Sequence, residues 1–365
     1  MEKNIIFFVS SLDSGGIENY LLRFIKFKYS NFSNIVVYCK SGKGGQLEDL
    51  YKKFNNVIIV KEKTSYFNPI SYIKLFIYFK RNKFQTVCDF SGNFAGLIVW
   101  VAYFAKIKKR IVFYRGASDH FDNNFFKSIY NNFVKRLVFI YATKILSNSN
   151  AALHYFYPNQ HQNSKKFEVI YNGIDVSNYD NITDDIRDEF SIPKDAFLVG
   201  HVGRYNVAKN HETILKVAIE LCKTHKDIYF VLCGNGVREN LYSKVANENL
   251  QKQIIVCENR TDIPIILNSL NCFYFPSITE GQPNALIEAM IMGVPLVSSN
   301  IAPIKEMFPS NIQNHLIDPL DWEMAIMIIN SIKENVSNHS IQRLKQWGLL
   351  QFSHTIQFEK FYKNL

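Results

Sequence analysis

Short runs of β-branched and aromatic residues recur along the chain, each followed by a longer stretch whose apolar positions repeat at helical spacing. In the first half the pattern predicts strands near 4–10, 34–39, 56–60, 85–90, 110–114, 143–147 and 167–170. Helices are predicted between them at 17–29, 68–80, 94–106, 123–141 and 149–156. The stretch 173–195 is acidic and poor in regular pattern, and it begins with turn chemistry at Asn172-Gly173-Ile174-Asp175. Alternation then resumes, with strands near 196–202, 228–233, 253–257, 272–275, 294–298 and 314–317, and helices at 209–224, 238–249, 262–269, 284–292 and 320–334. One or two further helices occupy 340–364.

Strands that alternate with helices in this way predict parallel α/β structure. A chain of 365 residues is long for one core and comfortable for two. The expected division is a first domain over 1–172, a linker over 173–195 and a second domain over 196–345, with 346–365 as a terminal helical segment. Ligands of open α/β sheets sit outside the carboxyl ends of the strands. Two such domains facing each other would form a cleft there that hinge closure can clamp.

Charge changes this picture in one respect. The net charge of +10 divides into +15 over residues 1–172 (25 Lys and Arg against 10 Asp and Glu) and −5 over 173–365 (17 against 22). A basic half is expected to meet something anionic: a membrane surface, a pyrophosphate-linked lipid or nucleic acid, unless it is simply a solvated lysine-rich face. No nucleic-acid-binding motif accompanies the charge, so that partner is not expected.

Lys80-Arg81-Asn82-Lys83 follows an apolar helical stretch, and Lys106, Lys108, Lys109 and Arg110 follow the uncharged run 94–105. That run has 12 residues, too few to span a bilayer, and reads as a packed core helix. The strand-like run 5–9 is too short for a signal peptide. The six cysteines form no C-x-x-C pair and several lie in apolar runs, as buried thiols in a reducing compartment would. A cytoplasmic protein, peripheral to the inner face of the cytoplasmic membrane if associated with it, is the expectation.

Three loops carry candidate chemistry. Asp13-Ser14-Gly15-Gly16-Ile17-Glu18 leads from the first strand into a helix, where paired glycines and free N–H groups suit a phosphate or a developing negative charge. It is not the G-x-G-x-x-G fingerprint. Gly203-Arg204-Tyr205-Asn206-Val207-Ala208-Lys209 follows the first strand of the second half. Its two cations could both reach one pyrophosphate, Arg as a fork and Lys as a point charge, or could simply be solvated. The third loop, Glu280-Gly281-Gln282-Pro283-Asn284-Ala285-Leu286-Ile287-Glu288, places two carboxylates at a helix start. Pro283 is expected at the first helical position.

Glu280 and Glu288, with seven residues between them, resemble the E-x7-E signature of the family 4 retaining glycosyltransferases. The resemblance extends to Gly293-Val-Pro-Leu-Val, Gly15-Gly16, 169–175, Gly203-Arg204 with Lys209, and Gly234-Asn235-Gly236, in the right order. It implies a GT-B fold of two Rossmann-like domains, with acceptor handled by the first and nucleotide sugar by the second. By similarity Glu280 would contact the donor sugar and Glu288 the ribose. Arg204 and Lys209 would hold the diphosphate, assisted by backbone at Gly16, Gly281 and Asn284–Leu286. The loop 257–261, with Arg260, would lie near the base, and the final helix would cross back to the first domain.

Capsule, exopolysaccharide or lipopolysaccharide synthesis, a UDP-sugar donor and a glycan or lipid-linked acceptor follow from the same resemblance. So does independence of metal or other cofactor, and the sequence has no D-x-D.

The chain departs from the family pattern at Gln282 and in the first domain. There Arg115 occupies a position that is often His, and His120 follows five residues on. Either residue is a candidate to face donor sugar and acceptor. Two other readings compete: a nucleotide-sugar epimerase of the same architecture, and a non-catalytic subunit that binds a nucleotide sugar or a glycan.

Overall fold

The computed structural model describes residues 3–64, 68–116, 125–159, 164–309, 315–335 and 338–365. Two compact units result, one from Met1–Gly173 with Thr355–Leu365 and the other from Ile174–His354. Among the described residues no helix is long and apolar enough to cross a membrane.

The first unit is built on seven parallel strands: β1 (Asn4–Val9), β2 (Asn34–Cys39), β3 (Val57–Lys61), β4 (Thr86–Asp89), β5 (Lys109–Tyr114), β6 (Lys144–Ser147) and β7 (Phe167–Val169). Their order is β3-β2-β1-β4-β5-β6-β7, so the winding reverses between β1 and β4. The helices between them are α1 (Gly16–Lys28), α2 (Glu48–Tyr51), α3 (Pro69–Asn82), α4 (Gly96–Phe104), α5 (Phe125–Tyr141) and α6 (Asn150–Phe156).

The alternation of side chains along β1 distributes these helices. Ile5, Phe7 and Val9 turn to one face and pack with Tyr20, Leu21 and Phe24 of α1, while Ile6 and Phe8 turn to the other and meet Leu75 and Phe79 of α3 and Ile98 and Val101 of α4. Local chemistry sets the ends of α3. The Asn68 side chain accepts a hydrogen bond from the Ile70 amide, Pro69 opens the helix, and Lys83 closes it in the left-handed region at φ 48°.

The second unit has six parallel strands: β8 (Phe197–Val202), β9 (Ile228–Cys233), β10 (Ile254–Cys257), β11 (Cys272–Phe275), β12 (Leu296–Ser299) and β13 (Leu316–Ile317). Their order is β10-β9-β8-β11-β12-β13, reversing between β8 and β11. The helices are α7 (His211–Thr224), α8 (Val237–Asn247), α9 (Ile263–Ser269), α10 (Asn284–Met292), α11 (Ala302–Lys305), α12 (Trp322–Glu334) and α13 (Asn338–Phe352). The terminal helix is α14 (His354–Asn364).

Three boundaries differ from the sequence expectation. The segment 173–195 is not a free linker, since from Ile174 onward it is part of the second unit. Ile186 and Ile192 are buried there, the Ile186 amide donates to Ser269 Oγ at 3.0 Å, and Arg187 donates to the Ser269 and Ala196 carbonyls and to Asn271. The segment that returns to the first unit begins at residue 355, not 346, because α13 packs on α10. It is held there by aromatic packing, with Phe361 and Phe358 centroids 4.7 and 5.7 Å from Phe24. A hydrogen bond from Thr86 Oγ1 to the Leu365 carbonyl anchors the end of the chain at 2.9 Å.

The third difference is that the helix expected from 209 starts at His211, after a short 3₁₀ turn over Val207–Lys209 and a left-handed Asn210 at φ 59°. Asn210 Nδ2 donates to the carbonyls of Pro276 and Pro319 at 3.1 and 2.7 Å, so tertiary hydrogen bonds hold the break.

Candidate functional site

In the second unit the winding reverses where β8 lies beside β11, the point at which open α/β sheets bind ligands. The loops leaving these two strands carry the Gly203–Lys209 and Glu280–Glu288 candidates, and they are tied together. The Ile278 amide donates to the Ala208 carbonyl at 2.8 Å, beside the Asn210 bridge to Pro276. Lys209 Nζ lies 2.5 Å from Glu280 Oε1 and 4.7 Å from the centre of the Phe275 ring. Both side chains of the pair are largely but not fully buried, at 17 % and 12 % exposure, so this charge pair is shielded from water yet reachable.

Close backbone approach shapes the neighbouring β8 and β9 loops. The amides of Gly203 and Tyr205 donate to the carbonyls of Cys233 and Asn235, both at 2.9 Å. Gly234 has φ 155°, and a Cβ there would stand 2.0 Å from the Gly203 carbonyl oxygen, so only glycine fits. Beneath these loops lie two histidines that sequence reasoning did not single out. His201 and His211 meet edge to face at 5.1 Å, and His201 Nδ1 is 2.9 Å from the Tyr274 carbonyl oxygen. Burial, with His211 beside it, holds His201 well below the usual histidine range. Burial also lowers His211 to about 4, against the raising pull of the Gly203 and Asn206 backbone. Both rings are therefore neutral supports at pH 7. The one sequence signal was a histidine inside an otherwise apolar strand, Phe197-Leu198-Val199-Gly200-His201-Val202.

On the other side of the pair, α10 begins at Asn284. Pro283 is its cap and not its first turn, because its ψ of 118° is extended. The first amides of a helix have no carbonyl four residues back, so a helix N-terminus carries partial positive charge. Leu286 is fully buried by its side chain and can offer only backbone, whereas Asn284, Ala285 and Glu288 are partly exposed. Arg204 stands exposed two residues beyond β8.

Arg260 is engaged elsewhere. Its Nη1 and Nη2 donate to Glu189 at 2.5 and 2.9 Å, and its Nε and Nη2 to Asp262 at 2.9 and 2.5 Å. Hydrogen bonds to Asp262 and Glu189 raise its already high pKa further. The side chain expected to face a base thus joins the 189 and 262 segments.

The remaining candidates belong to the first unit. Gly15 caps α1 in an extended conformation, and its carbonyl accepts from the Asn19 amide at 3.0 Å. A Cβ on Gly16 would meet nothing within 4 Å among the described residues. The strict glycine of this region is Gly45, where a Cβ would fall 2.2 Å from the Leu12 carbonyl carbon and the Asp13 nitrogen.

Arg115 follows β5, and its guanidinium carbon lies 3.9 Å from the Tyr20 ring centre and 5.0 Å from that of Phe113. Burial lowers its pKa to about 10, opposed by Tyr20. Its Nη1 is buried without a hydrogen-bond partner among the described residues. His120 lies outside the described residues. At the winding reversal of this unit, Lys40 Nζ binds both oxygens of the fully buried Asp89, at 3.1 and 3.2 Å, and Ser91 Oγ at 2.5 Å.

The model of the glycosyl transferases group 1 matches residues 182–347, and that of glycosyltransferase family 4 matches residues 14–178. The chain is 28% identical over 342 residues to the capsular polysaccharide biosynthesis glycosyltransferase CapH of Staphylococcus aureus, covering 90% of this chain and 91% of that one. It is 31% identical over 143 residues, 37% of each protein, to an Escherichia coli UDP-Gal:α-D-GlcNAc-diphosphoundecaprenol α-1,3-galactosyltransferase.

Among solved structures, HepE of Anabaena in complex with UDP superposes with a TM-score of 0.82 at 17% identity, covering 100% of this chain and 99% of that one. That likeness shows the fold to be GT-B. With its first half matched by one of the two models and its second half by the other, the chain belongs to the family 4 glycosyltransferases.

Proposed function

We propose that this glycosyltransferase moves a sugar, with retention of anomeric configuration, from a UDP-sugar to a glycan or lipid-linked acceptor in bacterial surface polysaccharide synthesis. The observation that carries the reading is the Lys209–Glu280 pair at the β8/β11 reversal, beside the N-terminus of α10. In this reading Lys209 supplies a cation and the N-terminus of α10 its amides for the charge that a leaving diphosphate would gain, and Glu280 supplies a carboxylate for the hydroxyls of the sugar.

In the proposed reaction the bond from the sugar C1 to the diphosphate oxygen breaks. The acceptor oxygen forms its bond to C1 from the same face, and its proton passes to the departing diphosphate oxygen. Lys209 and Arg204 neutralise the charge that develops, aided by the α10 amides at Asn284–Leu286. Glu280 accepts hydrogen bonds from the sugar hydroxyls and Glu288 from the ribose. Gly203, Gly234 and Asn235 let the backbone approach the nucleotide. Arg260 acts indirectly, by fixing the loop beside the base. Arg115, a cation packed against Tyr20, is assigned to the acceptor side together with His120.

No covalent carboxylate nucleophile is needed, unlike in retaining glycosidases. The relatives support this reading: CapH is named for capsule synthesis, and the E. coli enzyme for an α-1,3 linkage made from UDP-Gal on a diphosphoundecaprenol acceptor.

Calorimetry with a panel of nucleoside diphosphates and their sugars, followed by NMR of the product, tests the proposal. A UDP-sugar should bind, lose affinity in Arg204→Ala and Glu288→Ala, and give a product with the donor's anomeric configuration. Turnover should persist in the presence of a chelator. Binding of no nucleotide by folded protein, or an inverted product, would overturn it.

A further inference from the structure

We infer that Cys233 and Cys257 are an oxidation site, a thiol pair that a peroxide converts reversibly into a disulfide beside the loops leaving β8, β9 and β10. The two residues are the last of β9 and β10, and they stand opposite each other in the parallel register. Side chains in register on neighbouring strands leave the same face of a sheet. Their thiols are accordingly hydrogen-bonded to each other. Neighbouring strands run about 4.8 Å apart, within the Cα separations that a disulfide spans. The sequence shows no C-x-x-C pair because this one is made across the sheet.

A buried pair also needs a way in for the oxidant. β10 is the edge strand of its sheet, and a cavity of about 330 Å³ along it is lined by Cys257 together with Glu189, Ser191, Arg238, Tyr242 and Ile255. Hydrogen peroxide is small enough to enter there. Charge favours attack at the same sulfur. The hydrogen bond from Cys233 holds the Cys257 thiol below its usual range, and Arg260 adds to this against burial. The same bond and burial raise Cys233, and burial raises Cys39, Cys88, Cys222 and Cys272. The thiolate is the reactive form, so Cys257 is the attacking thiol and Cys233 the resolving one.

In the first step the Cys257 thiolate attacks one peroxide oxygen and the O–O bond breaks. Hydroxide leaves and takes up the proton that Cys257 had released, giving water and a sulfenic acid. The Cys233 sulfur then attacks the Cys257 sulfur. Its proton passes to the departing hydroxyl, which leaves as a second water. Two electrons have moved from the two sulfurs to the peroxide. A dithiol reverses the reaction by exchange and is itself oxidised.

The Cβ atoms of a disulfide are about 3.8 Å apart, so the new bond draws the two strand ends together by about 1 Å. The Gly234 amide donates to the Cys257 carbonyl at 3.4 Å, the Gly236 amide to Glu258 Oε2 at 3.3 Å, and the Tyr205 amide to the Asn235 carbonyl at 2.9 Å. The shift therefore passes to the Gly203–Tyr205 and Gly234–Gly236 turns and should weaken nucleotide binding. That consequence rests on the donor-site reading, whereas formation of the bond does not.

The test treats the full chain with hydrogen peroxide, blocks the remaining thiols under denaturing conditions and maps the peptides by mass spectrometry. A Cys233–Cys257 linked peptide and an intact mass lower by two hydrogen atoms are expected, both reversed by dithiothreitol, with Cys39, Cys88, Cys222 and Cys272 still reduced. Cys233→Ala should stop at a sulfenic acid on Cys257 that dimedone captures. Calorimetry of wild-type protein should show UDP affinity falling about 10–100-fold on oxidation, as small displacements of a positioning loop can produce, and returning with dithiothreitol. Cys257→Ala should keep its own UDP affinity through the same treatment. The wild-type map requires neither variant to fold.

Absence of the linked peptide, oxidation of another cysteine in preference, or oxidised wild-type protein that binds UDP as the reduced protein does would each overturn the inference. Reduced protein that binds no UDP would instead sink the donor-site reading, and the linked peptide would then decide the oxidation site by itself.

Discussion

Lys209 and Glu280 stand 71 positions apart in the chain, yet Lys209 Nζ and Glu280 Oε1 are 2.5 Å apart. Each leaves the carboxyl end of one of the two strands between which the second sheet reverses its winding. Replacing Lys209 by Ala should lower kcat by about 10²–10³, as loss of one group that stabilises developing negative charge does elsewhere. Glu280→Gln keeps the shape but weakens the hydrogen bonds to the sugar, and should act on kcat more than on nucleotide affinity. Steady-state kinetics beside calorimetry of UDP separates the two effects.

A Cβ at position 234 would meet the Gly203 carbonyl oxygen at 2.0 Å, in a backbone conformation that L side chains rarely adopt. Gly234→Ala should therefore destabilise the second unit by about 1–3 kcal/mol or more and push the β8 and β9 loops apart. A lower urea midpoint together with weakened UDP binding is the expected result. The control Gly16→Ala, where nothing obstructs the added carbon, should leave the melting temperature close to wild type.

His201 and His211 both have pKa values below the usual histidine range, His211 at about 4. In the unfolded chain they titrate near 6.5, so on acidification the unfolded state takes up protons that the folded state refuses. Stability should fall as pH drops from about 6.5 towards 4, each histidine contributing a slope of up to about 1.4 kcal/mol per pH unit. Above pH 7 this contribution is fully present. Urea denaturation across pH 4–7.5 should show a shallower slope in His211→Asn, and an unchanged slope would contradict the assignment.

Asp89 is fully buried and Lys40 nearly so. Asp89→Ala would leave the ammonium buried against Ser91 without its carboxylate, at a cost of about 3–5 kcal/mol. The double variant Lys40→Met with Asp89→Ala should recover much of that loss. Comparing the two in chemical denaturation distinguishes a broken charge pair from lost packing.

The sequence by itself determined the alternation of strand and helix, the two-fold repetition of a parallel α/β unit and the region near 173 where one gives way to the next. These follow from local periodicity and from turn residues, which act over a few positions. Glu280 before α10, Glu288 on it and the cations after β8 were legible for the same reason, since each set lies within one loop and its helix.

Tertiary structure alone decided what meets across the sheets. Nothing near Asn210 in the chain announces that its side chain will hold the Pro276 and Pro319 carbonyls and break a helix. Arg260 looked available until Glu189, distant in sequence, was brought beside it. Gly45 is required only because residues 12 and 13 pass 2.2 Å from where its side chain would be. The run 94–105 is apolar all round, and composition cannot say which side of such a helix the core will use. That choice falls to packing, because the sheet accepts one face of each helix and leaves the other to whatever solvent or partner is there.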